Sequence, residues 1–146
     1  MSSKKDLIII GAGLSGLYAA TILQDNYNII ILEARDRLGG RILTHEGHDL
    51  GPSWIWPHQK NILSLIDELG LELFSQYTKG DALYDVHGGV QRFNAPSSAP
   101  SFRVKGGLIK VIDKLVAKLS KSMIHLNEEV LSINDSSNGI EVMTHT

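Results

Sequence analysis

Gly11-Ala12-Gly13-Leu14-Ser15-Gly16 has the spacing G-x-G-x-x-G. That spacing has a definite chemistry when it joins a strand to a helix. Gly11 allows a tight turn, Gly13 removes the side chain where a diphosphate would approach the backbone, and Gly16 lets helix and strand pack closely. The free N–H groups of Leu14 and Ser15, at the positive end of the helix dipole, then face the phosphates. An acid is needed roughly twenty positions on, at the end of the next strand, to hold ribose hydroxyls. Glu33 stands there, directly after Leu32. A carboxylate at that place argues against a 2′-phosphate and hence against NADP. The bare glycine spacing describes an ordinary strand-to-helix turn equally well, so its surroundings decide.

Those surroundings are the required ones. Leu7, Ile8, Ile9 and Ile10 form an unbroken apolar run ending in glycine, which predicts a strand buried on both faces. Residues 14–24 follow as a helix with a small-residue face. Residues 28–32, Asn-Ile-Ile-Ile-Leu, predict a second strand of the same kind. Two such strands joined by a helix make a parallel, right-handed βαβ unit. Residues 35–44 read as a loop or short helix. Ile62, Leu65, Ile66 and Leu69 mark one face of a helix that Gly70 is placed to end. Lys79-Gly80-Asp81 and His87-Gly88-Gly89 read as hairpin turns. Residues 94–101, rich in Ser, Ala and Pro, read as a mobile loop. Leu108, Val111, Ile112, Leu115 and Leu119 form the apolar stripe of an amphipathic helix, with Lys110, Lys114 and Lys118 opposite. Residues 123–126 predict a third strand, and residues 129–134 and 139–143 a hairpin.

The bulk properties remove other function classes. A net charge of −2 over 146 residues gives no field favouring nucleic acid or an anionic membrane. The six histidines are scattered, so no metal site is expected. His45, His48, His58 and His87 read as surface histidines, and Asp81 and Asp85 as a solvated face. The chain has no cysteine, which excludes disulfides and any covalent cofactor attachment through sulfur and suits a cytoplasmic setting. No apolar stretch approaches the twenty or so residues of a membrane span.

Beyond Glu33 the sequence runs Ala34-Arg35-Asp36-Arg37-Leu38-Gly39-Gly40-Arg41. With Leu32 and Glu33 this segment resembles the flavin-containing amine oxidase superfamily, whose signature Leu-Glu-Ala-Arg-x-Arg-x-Gly-Gly-Arg is matched at every fixed position. The resemblance implies FAD as cofactor, with Arg41 on the diphosphate and Arg35 along the adenosine. It adds Ala34, Gly39, Gly40 and Ile42 to the cofactor-binding set of Gly11, Gly13, Leu14, Ser15, Gly16 and Glu33. A guanidinium fork suits phosphate oxygens, and paired glycines let backbone come close. Residues 49–57, Asp-Leu-Gly-Pro-Ser-Trp-Ile-Trp-Pro, are similar to a family segment that passes the flavin ring, which implies Gly51, Pro52 and Ser53 as flavin neighbours. Trp54 and Trp56 either shape those surroundings or pack in the core. Val130 matches a position whose backbone meets adenine.

The expected fold is α/β: a Rossmann-like, three-layer FAD-binding domain with a parallel sheet core in strand order 3-2-1 and added antiparallel hairpins, apparently truncated. Residues 71–104 are expected to begin a substrate-domain insertion. The family places its substrate domain, a lysine near the flavin and a closing FAD segment later than residue 146. Accordingly no catalytic residue is expected here, and self-association or a C-terminal partner chain is. The expected function is the FAD-binding part of an oxidoreductase that takes a small-molecule amine to an imine. The alternatives are a non-catalytic FAD/ADP-binding module that needs a partner, a desaturase- or protoporphyrinogen oxidase-type flavoenzyme, and a remnant that binds no nucleotide.

Overall fold

The computed structural model describes residues 4–94, 100–137 and 139–145. Most of the serine- and proline-rich loop expected at 94–101 lies outside them. The chain divides into two compact units, Met1–Pro52 with Gly106–Thr146, and Ser53–Lys105.

The first unit is built on a parallel sheet. Strand β1 (Lys5–Ile10) leads through the glycine loop into helix α1 (Leu14–Leu23), and β2 (Tyr27–Glu33) returns beside β1 with Ile9 opposite Ile31 and Ile8 opposite Ile30. β9 (Ile124–Leu126) joins the far side of β2, also parallel. Read across the sheet, these strands stand in the expected order 3-2-1. Helix α3 (Ile109–Val116) packs on α1, and Leu108, Val111, Ile112, Leu115 and Leu119 are all buried as the apolar stripe predicts. A single helical turn, Lys121–Met123, leads from it to β9. Two antiparallel hairpins complete the unit: β3 (Leu43–His45) with β4 (His48–Gly51), and β10 (Val130–Ser136) with β11 (Gly139–Thr144).

The expectation that β1 and β2 are buried on both faces is wrong for this chain. Ile29 and Ile31 are buried on the side where Ile9 meets α1. On the opposite side Ile8, Ile10 and Ile30 are 38%, 50% and 44% exposed. The apolar run records a sheet with two apolar faces, but the helices cover only one of them. The β3–β4 hairpin was not anticipated either. It turns on Glu46 and Gly47, both at positive φ, the backbone of a two-residue hairpin turn that matches strand twist.

The second unit holds α2 (Lys60–Glu68), β5 (Leu73–Ser75), β6 (Ala82–Val86), β7 (Gly89–Phe93) and β8 (Phe102–Val104). Gly70, at φ +64°, ends α2 as expected, and the Leu71 N–H reaches back to the Ile66 carbonyl at 3.0 Å, which satisfies a carbonyl of the last turn. His87-Gly88 turns the β6–β7 hairpin. Lys79-Gly80-Asp81 turns none: β5 pairs instead with the distant β8, so these residues link two separate ladders.

The two faces of β2 carry a direct consequence for stability. Ile31→Ala removes a fully buried side chain and is expected to cost about 2–5 kcal/mol. Ile30→Ala, on the uncovered face, is expected to cost under about 1 kcal/mol. Urea unfolding of both variants measures the difference, and equal losses would mean that both faces are packed.

Candidate cofactor site

The glycines of the first motif divide by what the fold itself demands of them. Gly11 turns the chain at φ +97° while its N–H donates to the Leu32 carbonyl at 2.7 Å. A Cβ at Gly16 would collide with the Gly11 carbonyl and press on Ile9, so helix and strand would have to separate. Gly13 is different. Its φ of −77° and ψ of −179° suit any residue, and an added Cβ would find nothing nearer than the Gly40 Cα at 3.9 Å. Neither backbone nor packing requires a glycine there, and its absent side chain leaves open space at the mouth of α1. The helix begins at that point with no side-chain cap and no acid in its first turn. The Leu14 N–H faces the Gly39 carbonyl across a parallel bridge, and the other early N–H groups, Ser15 among them, are left to an external acceptor.

Glu33 ends β2 on the helix-covered side and is 6% exposed. One carboxylate oxygen accepts the Ala12 N–H at 2.8 Å and the other accepts the Arg35 N–H at 3.0 Å. The same residue's carbonyl accepts the Glu128 N–H at 2.9 Å, and the Arg35 carbonyl accepts that of Asn127 at 3.0 Å. Glu33 thus joins the glycine loop, its own loop and the chain leaving β9. Each carboxylate oxygen has a second lone pair, so the residue can hold ribose hydroxyls while keeping these bonds. Val130 follows at the start of β10.

The second glycine pair closes onto the first. The Gly39 N–H donates to the Ala12 carbonyl at 2.9 Å, Gly39 bridges Gly13 in parallel fashion, and a Cβ on Gly40 would lie 3.2 Å from the Gly13 Cα. The Ile42 N–H closes the turn on the Gly39 carbonyl at 3.0 Å, with the Ile42 side chain in the core. Ala34, Arg35 and Arg41 are exposed. Arg35 donates to the Gly40 carbonyl at 3.3 Å. Arg41 makes no hydrogen bond or ion pair among the described residues, so its cation is available to an anion.

Arg37, which the sequence reading assigned no task, donates to the carbonyls of Leu38, Gly40 and Ile42. Thr44 and Asp49 were missed as well. The Thr44 hydroxyl donates to Asp49 Oδ1 at 2.6 Å, and that oxygen also accepts the Leu108 N–H at 2.8 Å. The β3–β4 hairpin is thereby fastened to the N-terminus of α3. Gly107 lets the two meet, since a Cβ there would lie 2.6 Å from the Thr44 Cγ2. A hydroxyl and a carboxylate five residues apart show no capping spacing until the intervening turn is known. Gly51 and Pro52 end this unit, while Ser53 opens the other. Trp54 is 51% exposed and meets Trp56 edge to face at 5.9 Å between ring centres, so it is not a core residue.

The family model for flavin containing amine oxidoreductases matches residues 14–99. The chain belongs to this family. It is 37% identical over 121 residues to the putrescine oxidase of Kocuria rosea, covering 80% of this chain and 25% of that protein. It is 42% identical over 102 residues to the flavin-containing amine oxidase B of Sus scrofa, covering 66% and 20%. The chain therefore spans a fifth to a quarter of these relatives' length. The solved cyclohexylamine oxidase of Brevibacterium oxydans has the same fold, with a TM-score of 0.81 at 18% identity over 97% of this chain and 55% of that one. The cofactor of the family is FAD. The residues present fit it: an open glycine cradle, unused helix N–H groups, a buried carboxylate one strand away and a free guanidinium.

The division among the glycines predicts separable effects. Gly13→Ala and Gly13→Val are expected to fold with near-native melting temperatures but to lose ADP and FAD binding by calorimetric titration. Gly16→Ala is expected to unfold more easily before any ligand is added. Retained flavin in Gly13→Val would remove the glycine loop from the phosphate site.

Proposed function

We propose that this chain is the FAD-binding part of a flavin-dependent amine oxidoreductase. The observation that carries the reading is Gly13: a glycine that neither backbone nor packing demands, at the uncapped start of α1. Leu14 and Ser15 donate backbone N–H groups to the diphosphate, Gly40 lets the second loop come close, and Arg41 adds the neutralising cation. Glu33 accepts from the ribose hydroxyls while holding Ala12 and Arg35 in place. Gly51, Pro52 and Ser53 pass the ring, and Val130 offers backbone to the adenine. When bound, FAD supplies the electron sink, accepting a hydride equivalent as an amine C–N bond becomes an imine.

Residues 71–104 begin the substrate domain in this reading, and the full fold needs more polypeptide than these residues. The uncovered Ile8, Ile10 and Ile30 support that need and also favour the second reading, a non-catalytic FAD/ADP-binding module that requires a partner chain. A desaturase- or protoporphyrinogen oxidase-type chemistry would use the same cradle. The cytoplasmic setting rests on the cysteine-free sequence.

Glu33→Ala is expected to weaken FAD by about 1–3 kcal/mol and to lower stability as well, because the buried Ala12 N–H loses its acceptor. Flavin titration and urea unfolding read the two effects. An unchanged dissociation constant would remove Glu33 from the ribose site. Amine-dependent hydrogen peroxide from the FAD-loaded chain would establish the oxidase reading for these residues alone. FAD binding without peroxide would assign them the module's part.

A further inference from the structure

Arg37 is the cation in the second loop whose guanidinium reaches three main-chain carbonyls of the chain itself. It is half-buried, and no carboxylate lies within ion-pair distance of it among the described residues. One terminal nitrogen reaches the carbonyls of Leu38 at 3.4 Å and Ile42 at 3.5 Å, and the other that of Gly40 at 3.0 Å. These carbonyls belong to the turn that carries Gly39 and Gly40. Gly39 donates to Ala12, and Ile42 closes back on Gly39. Gly39 and Gly40 sit at φ +99° and +60°, so the middle of the turn has no side chain of its own to hold it. A planar fork of five donors fits several carbonyls at once, and an ammonium on a flexible stem does not.

We propose that Arg37 is a positioning residue that clamps the Gly39–Gly40 turn against the Ala12–Gly13 loop, so that the diphosphate meets a preformed cradle with an unneutralised cation behind it. Arg37 acts through Gly39 and Gly40 and is not itself a phosphate ligand; that part belongs to Arg41. The inference rests on the reading of this site as an FAD diphosphate cradle. The clamp itself can be measured without any ligand.

The test compares the full wild-type chain with Arg37→Met and Arg37→Lys. Without ligand, hydrogen exchange at the Gly39 and Ile42 amides is expected to quicken in both variants, while the Ile29 and Ile31 amides of β2 keep their protection. With ligand, Arg37→Met is expected to lose about tenfold or more in affinity for ADP and FAD, the scale of one charge-assisted hydrogen bond. Adenosine, which has no phosphate, is expected to change within about twofold. Arg37→Lys restores the charge but not the fork, so its loop amides stay fast even where ADP affinity partly returns. Unchanged exchange at Gly39 and Ile42 would overturn the clamp. Equal losses for adenosine and ADP would overturn it too, because a general loosening of the fold gives that result. A wild-type chain that binds neither ADP nor FAD would sink the cofactor reading instead, with amide exchange still deciding the clamp.

Discussion

The candidate cofactor site depends on one buried carboxylate. Glu33 accepts the Ala12 N–H from the first glycine loop and the Arg35 N–H from the second. Both loops are otherwise short of side chains that could fix them, since a glycine loop gives up packing in return for close approach. A buried carboxylate that accepts two backbone N–H groups supplies strong, directional bonds. The Ala12 carbonyl then accepts from Gly39, and Gly13 comes to lie against Gly40. Without Glu33 the Ala12 and Arg35 N–H groups would lose the carboxylate that joins them. The acid proposed as a ribose ligand is therefore also the element that ties together the two loops of the candidate phosphate site.

The region around that anchor was legible in the sequence because its constraints are local. A βαβ unit needs apolar runs, a glycine turn and a helix at fixed offsets, and residues 7–33 contain all three. The amphipathic stripe of α3 and the third strand were legible for the same reason. Contacts between residues distant in sequence were not. The pairing of β5 with β8 joins residues about thirty apart, and no turn signal announces it. The Thr44–Asp49 cap of α3 requires a hairpin whose only marker is Gly47. The task of Arg37 was not legible either, since spacing does not reveal which carbonyls a guanidinium will reach.

The apolar runs of β1 and β2 were read correctly as strands and wrongly as doubly buried. Helices cover the face of Ile29 and Ile31, and nothing among the described residues buries Ile8, Ile10 and Ile30 to the same degree. A sheet with two apolar faces is the pattern of a layered α/β fold. The relatives matched by this chain are four to five times its aligned length, by the shares of 25% and 20%. The sequence of these strands thus specifies a larger layer arrangement than the described residues supply.

Competition for bound flavin tests the central claim most directly, namely that these residues recognise the ADP half of FAD. The chain is loaded with FAD, dialysed, and then challenged separately with ADP and with riboflavin while the flavin's visible absorption is followed. Retention of FAD by the protein, displacement by ADP and indifference to riboflavin is the result predicted from the cradle formed by Gly13, Gly40, Glu33 and Arg41. Flavin that is lost on dialysis, or that riboflavin displaces and ADP does not, would contradict it.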